Sequence, residues 1–147
     1  LGRCTTRAAA PPRSRWTPRM LPAGGARVRV LMGPHHLRFD PRSIDAFGRE
    51  RYVVTPQSDR MGYRLRGAPL TVHAGGDLLS TATPPGAIQV PPLGEPILLM
   101  ADRQTVGGYP RIATVITSDI PVVAQLAPWH WHRRKPWPQM SGAVWHG

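Results

Sequence analysis

From residue 27 onward, apolar and polar residues alternate in short runs, and nearly every run stops at a glycine or proline. Arg27-Val28-Arg29-Val30-Leu31 has period two and ends at Gly33-Pro34, which predicts a strand over 27–31. Tyr52-Val53-Val54-Thr55 is aromatic and β-branched and is halted by Pro56, predicting a strand over 52–55. Tyr63-Arg64-Leu65-Arg66 predicts a half-exposed strand over 63–66, and Thr71-Val72-His73 a short one closed by Ala74-Gly75-Gly76-Asp77. A further strand over 87–90 lies between Pro85-Gly86 and Pro91-Pro92. Residues 96–100 are apolar on both faces, as in a central strand covered on both sides. Ile112-Ala113-Thr114-Val115-Ile116-Thr117 carries the strongest strand signal.

Two short helices interrupt this pattern. Asp40-Pro41 puts an N-cap residue before a proline at the first helical position, with Ile44 and Phe47 on one face behind it. Asp119-Ile120-Pro121 repeats the capping pattern ahead of Val122, Val123 and Leu126. The fold class is mainly β with one or two short helices. Turn signals every 8 to 12 residues or so point to a barrel or sandwich. There is no internal repeat.

Composition divides the chain into three parts. The formal net charge is +11 over 147 residues, but residues 1–29 hold seven arginines and no acid, and residues 129–147 hold Arg133, Arg134 and Lys135 with no acid. The middle has nine arginines against all eight acids. A basic nucleic-acid binder, using tail Arg and Trp, would need the charge on its ordered part, so nucleic acid is not the expected partner. Residues 1–26 read as a disordered Arg/Pro-rich leader and 27–126 as the folded lobe. Residues 127–147 read as a Trp/Arg/Pro tail, and Trp129-His130-Trp131-His132 shows no strand period. That abrupt change is what a truncated gene or shifted reading frame would produce, so the barrel is expected to be incomplete. A single cysteine, Cys4, excludes an internal disulfide and fits a reducing cytoplasm. No apolar run reaches the roughly 20 residues of a membrane span. His35 and His36 are adjacent and face opposite ways, and His130 and His132 have no carboxylate nearby, so no metal site is expected.

Three stretches are too particular to be generic strand and turn. They are Thr55-Pro56-Gln57-Ser58-Asp59-Arg60-Met61-Gly62-Tyr63-Arg64-Leu65, Pro85-Gly86-Ala87-Ile88-Gln89-Val90-Pro91, and Ala101-Asp102-Arg103-Gln104-Thr105-Val106-Gly107-Gly108-Tyr109-Pro110. Together with Gly33-Pro34-His35 and 112–116, they resemble the C-terminal lobe of the biotin-dependent carboxyltransferase family. That family takes in the C subunit of 5-oxoprolinase, KipA-like proteins, allophanate hydrolase subunit 2 and the carboxyltransferase domain of urea amidolyase. The resemblance implies a cyclophilin-like β-barrel lobe, normally joined to a similar N-terminal lobe that has no counterpart in this sequence. It also implies action on a small amide, urea or lactam, with carboxybiotin or ATP supplied through partner subunits, either KipI-like or of the 5-oxoprolinase B type. A non-catalytic KipA-like module engaging a KipI-like partner shares the same motifs.

These residue types also carry chemistry of their own. Gln57, Gln89 and Gln104 each offer a donor and an acceptor, suited to planar amide or ureido groups. Asp59 or Asp102 can orient an amine or act as base, and Arg60 or Arg103 can fork a carboxylate. Gly107-Gly108 can bare successive backbone N–H groups as an anion nest, and Tyr109 adds an aromatic wall. The candidate site is therefore Asp59, Arg60 and Asp102 for catalysis, with Gln57, Ser58, Gln89, Gln104, Thr105, Gly107, Gly108 and Tyr109 for substrate binding. Ser58-Asp59-Arg60 and Asp102-Arg103 equally fit local turns held by side-chain hydrogen bonds. There is no Gly-x-Ser-x-Gly elbow and no Gly-x-x-x-x-Gly-Lys-Ser/Thr loop.

Overall fold

The computed structural model describes residues 25–73 and 78–126 with their side chains, and the backbone of 139–145. The leader before Gly25, the rest of the tail, and with it His130 and His132, lie outside the described residues. The elements are β1 (Gly25–Met32), α1 (Pro41–Arg49), β2 (Arg51–Val54), β3 (Gly62–Arg66), β4 (Thr81–Ala82), β5 (Ala87–Gln89), β6 (Ile97–Leu99), β7 (Val106–Gly107), β8 (Arg111–Val115), α2 (Ile120–Ala124) and β9 (Gln139–Trp145). Single 3₁₀ turns precede α1 and α2. Each strand predicted from alternation is present except 71–73, which is reduced to one bridge between Phe39 and Val72.

Seven strands pair in the order β1-β8-β5-β6-β3-β2-β9 and close into a barrel. Closure depends on β9, which runs parallel to β1 and antiparallel to β2. This corrects the expectation of an open edge after Leu126. The tail does contain a strand past the Trp/His/Pro run, Gln139–Trp145, whose backbone pairs with both β1 and β2. Pairing along both edges removes the exposed edge that an open sheet would leave.

The alternation fixes which side chains fill the barrel. Val28 and Val30 point inward from β1 while Arg27, Arg29 and Leu31 point out. Tyr63 and Leu65 do the same on β3, between the outward Arg64 and Arg66. Ile88, Leu98 and Ile112 complete the interior at 0% exposure, each stabilising by roughly 1.5–3 kcal/mol relative to an exposed position. α1 lays Phe47 against Tyr52, with ring centroids 5.8 Å apart. Burial drives the Tyr52 phenol up to about 12, and its hydroxyl donates to the Ala68 carbonyl.

The two helix starts differ. Asp40 caps α1 as predicted, accepting the Arg42 N–H at 2.7 Å with Pro41 at the first position. Asp119 makes no side-chain cap to α2. Its buried carboxylate instead accepts the Arg29 backbone N–H (2.8 Å), Nε (3.1 Å) and Nη2 (2.7 Å), which fixes the turn before α2 to β1. A charge-assisted, bidentate partner outcompetes one terminal N–H.

At the other end of β1, Gly33 packs backbone to backbone on β8. Its N–H donates to the Ile112 carbonyl at 2.7 Å, and a Cβ there would stand 2.3 Å from the Arg111 carbonyl oxygen. His35 completes the joint: its Nδ1 accepts the Arg111 N–H at 3.1 Å. That geometry requires an unprotonated Nδ1. Burial first, then the charges of Arg111 and Arg38, lower the His35 pKa from its ordinary value.

Candidate functional site

The outer surface of β5, β6 and β3 forms the floor of a cavity of about 270 Å3. Inward residues on these strands fill the barrel, so the alternate residues face out: Gln89 on β5, Ile97 and Leu99 on β6, Gly62 and Arg64 on β3. Register aligns them in rows. Arg64 pairs with Ile97, and Ile97 with Gln89, so one row crosses three strands; Gly62 and Leu99 make the next. Two loops rise from this floor. The β2–β3 loop contributes Gln57, Asp59 and Met61, and the loop around β7 contributes Gln104 and Tyr109. The three motif stretches therefore meet on one concave face.

The β2–β3 loop is held by its own side chains. Asp59 Oδ1 accepts the Met61 N–H at 2.8 Å and the Gly62 N–H at 3.1 Å, while its carboxylate lines the cavity. Ser58 Oγ accepts the Arg64 N–H at 2.9 Å, so Ser58 ties the loop to β3 and is not in the cavity wall. Arg60 and Asp102 form an exposed ion pair at 3.3 Å, also outside the wall. At that exposure the pair is worth well under ~1 kcal/mol to stability.

The opposite wall is a small arm in which β4 and β7 pair, separate from the barrel. Thr83, 3% exposed, fastens it. Its N–H donates to the Thr105 carbonyl at 2.9 Å, its hydroxyl donates to the Gln104 carbonyl, and its own carbonyl accepts Arg103 Nε at 2.7 Å. Arg103 is thereby committed to the arm, and Thr105 is exposed beyond the cavity wall. Gly107 presses on β5: a Cβ there would lie 2.7 Å from Gln89 Nε2 and 3.4 Å from Gln104 Nε2. Its bare α-carbon leaves space for two carboxamide ends at one point. Neither Gly107 nor Gly108 has a positive φ, so the alternating backbone of an anion nest is not formed there. Gly108 and Tyr109 line a neighbouring cavity of about 470 Å3, with Arg38, His73, Leu78 and Leu93.

Of the predicted positions, the fold brings Gln57, Asp59, Gln89, Gln104 and Tyr109 into one wall with Gly107 against it. Ser58, Arg60, Asp102, Thr105 and Gly108 stand outside it. Arg64, Ile97 and Leu99 belong to it and are not among the predicted positions. Their strands are legible in the sequence, but the cross-strand register that aligns them is not. Among the described residues there is no group of three or more His, Cys, Asp or Glu able to hold a metal ion. No helix among them is long and apolar enough to cross a membrane.

Comparison with known proteins agrees with this architecture. Residues 2–133 match the family described as carboxyltransferase domain, subdomain A and B. The chain is 49% identical over 102 residues to the 5-oxoprolinase C subunit of Escherichia coli (strain K12), covering 69% of this chain and 33% of that protein. It is 42% identical over 99 residues to the 5-oxoprolinase C subunit of Haemophilus influenzae (strain ATCC 51907 / DSM 11121 / KW20 / Rd), covering 67% and 32%. It thus spans about a third of the length of these relatives. The crystal structure of TTHA0988 superposes with a TM-score of 0.64 at 31% identity, over 93% of this chain and 25% of that one. The urea amidolyase of K. lactis shares the fold at a TM-score of 0.75 and 22% identity, over 88% of this chain and 8% of that one. The chain belongs to the carboxyltransferase domain family, subdomain A and B.

Proposed function

We propose that this chain is a carboxyltransferase-type lobe of a 5-oxoprolinase C subunit, and that the cavity on β3, β6 and β5 binds a small planar amide, urea or lactam. The observation that carries the reading is the meeting of Gln57, Gln89 and Gln104 in one cavity, two of them ending at Gly107. A carboxamide pairs with another amide through one N–H donor and one C=O acceptor, so several around one small space suit a ligand with both. Asp59 spends one carboxylate oxygen on its own loop and is the acid–base candidate in the wall. Ring opening develops negative charge on the carbonyl oxygen, and the carboxamide N–H groups are the donors placed to stabilise it.

In this reading ATP is handled by partner subunits, KipI-like or of the 5-oxoprolinase B type. One guanidinium, Arg64, lines the cavity, too little cation to hold a triphosphate. The flat ureido group of carboxybiotin has the same donor and acceptor pattern as the proposed ligands, and Gln89 and Gln104 would hold it in the same way. The relatives named as C subunits of 5-oxoprolinase favour the lactam over urea as substrate.

The test is calorimetric titration of the chain with 5-oxoproline and with urea, repeated on Gln89→Leu and Gln104→Leu. The reading expects binding of 5-oxoproline that either substitution weakens about tenfold, the effect of one lost hydrogen bond. It also expects no turnover by the chain without partner subunits and ATP. Binding indifferent to both substitutions, or 5-oxoproline turnover by the chain alone, contradicts it.

A further inference from the structure

We propose that Arg64 is the specificity-determining residue of this cavity and binds a carboxylate on the ligand, so that the site selects carboxylated lactams over the same ring without the acid. The inference rests on the reading of the cavity as an amide site and adds the second contact that the ligand must make. Arg64, Ile97 and Gln89 are register partners on three neighbouring strands. Two strand spacings put the Arg64 and Gln89 backbones about 10 Å apart. All three side chains lie on the outer face, so a cation stands at one end of the row, a carboxamide at the other, and apolar Ile97 between them. A lactam with its acid on the carbon beside the ring nitrogen carries its two polar groups on either side of that nitrogen. The row offers a partner for each group and an apolar seat for the ring.

Three other arginines near the cavity are already occupied. Arg60 pairs with Asp102 at 3.3 Å, Arg103 Nε donates to the Thr83 carbonyl at 2.7 Å, and Arg111 donates to the Ala82 carbonyl at 3.2 Å. Among the described residues Arg64 takes part in no ion pair. Its backbone is secured instead, with the N–H on Ser58 Oγ at 2.9 Å and the carbonyl accepting the Thr55 N–H at 2.9 Å. A fixed backbone and an uncommitted guanidinium fork are what bidentate carboxylate binding uses.

The experiment compares 5-oxoproline with 2-pyrrolidinone, the same lactam lacking the carboxylate, on the wild-type chain, Arg64→Met and Arg64→Lys. Arg64 is exposed, so these variants leave the interior packing untouched. The wild type is expected to favour 5-oxoproline. Arg64→Met should weaken that ligand about 10- to 100-fold, as loss of a charge-assisted hydrogen bond does, and shift 2-pyrrolidinone by less than about twofold. Arg64→Lys should keep part of the preference. Equal weakening of both ligands, or an unchanged preference in Arg64→Met, overturns the assignment and leaves the amide reading intact. A wild-type chain that binds neither lactam removes the amide reading and the Arg64 assignment with it.

Discussion

Replacing Gly33 by alanine tests the joint on which the barrel turns. The added Cβ would stand 2.3 Å from the Arg111 carbonyl oxygen and 2.9 Å from two backbone carbons of β8. None of these atoms belongs to a flexible side chain. Relief requires β1 and β8 to part by most of an ångström, at the point where Gly33 N–H meets the Ile112 carbonyl at 2.7 Å and His35 Nδ1 meets the Arg111 N–H at 3.1 Å. Two strained or lost hydrogen bonds cost about 1 kcal/mol each, and overpacking adds ~1–3 kcal/mol, for a total of roughly 3–5 kcal/mol. At roughly 4 °C per kcal/mol, Gly33→Ala should melt about 12–20 °C below the wild type by circular dichroism. Gly108→Ala is the control, since its Cβ would meet nothing closer than the Leu78 carbonyl oxygen at 3.5 Å. It should melt within ~2 °C of the wild type. Equal melting temperatures for Gly33→Ala and Gly108→Ala refute the packing of β1 on β8 described above.

Two further outcomes follow from the same contacts. Thr83→Val removes the hydroxyl that serves the Gln104 carbonyl while keeping the shape, so hydrogen exchange over residues 103–107 should accelerate about tenfold with the barrel strands unchanged; Thr83→Ser should restore protection, and failure to do so refutes the clamp. His35, with its pKa held below the ordinary 6.5, favours folding most when neutral. Its contribution is complete above pH 6.5 and is lost as the pH falls from there through the folded-state value. His35→Asn can accept the same Arg111 N–H without titrating, so between pH 8 and 5 its melting temperature should fall less than the wild type's; a parallel fall contradicts this role.

Much of the barrel is legible in the sequence, because a strand with one buried face writes its pattern locally. Val28 and Val30 between arginines, or Tyr63 and Leu65 between Arg64 and Arg66, need no partner to be recognised. β4 and β7 have two residues each and no period to read, so the arm appears only when Thr81 and Ala82 are seen beside Gly107 and Val106. β9 is hidden for a different reason: its residues have no clean alternation, and they follow a run of Trp, His and Pro that signals a break. Asp119 shows the limit of capping rules, since the competing partner Arg29 lies 90 residues away.

The site divides in the same way. Gln57, Asp59, Gln89, Gln104 and Tyr109 stand out because they sit in stretches of unusual composition. Arg64 lies in the first of those stretches but reads there as the exposed position of an alternating strand, and Ile97 lies outside all three, so each becomes part of a site only through register. Thr83 is equally silent, although three of its hydrogen bonds hold the arm in place. Closure by β9 also changes the physical expectation for the chain, since an exposed edge no longer has to be covered by a partner.

Side-chain amide NMR during titration with 5-oxoproline tests the shared cavity most directly. The resonances of Gln57, Gln89 and Gln104, which belong to three separate stretches of chain, should shift together with one saturation curve, while Gln125, beside α2 with its Nε2 on the Pro121 carbonyl, stays still. Movement of only one of the three, or of none while Gln125 shifts, would contradict a common binding face.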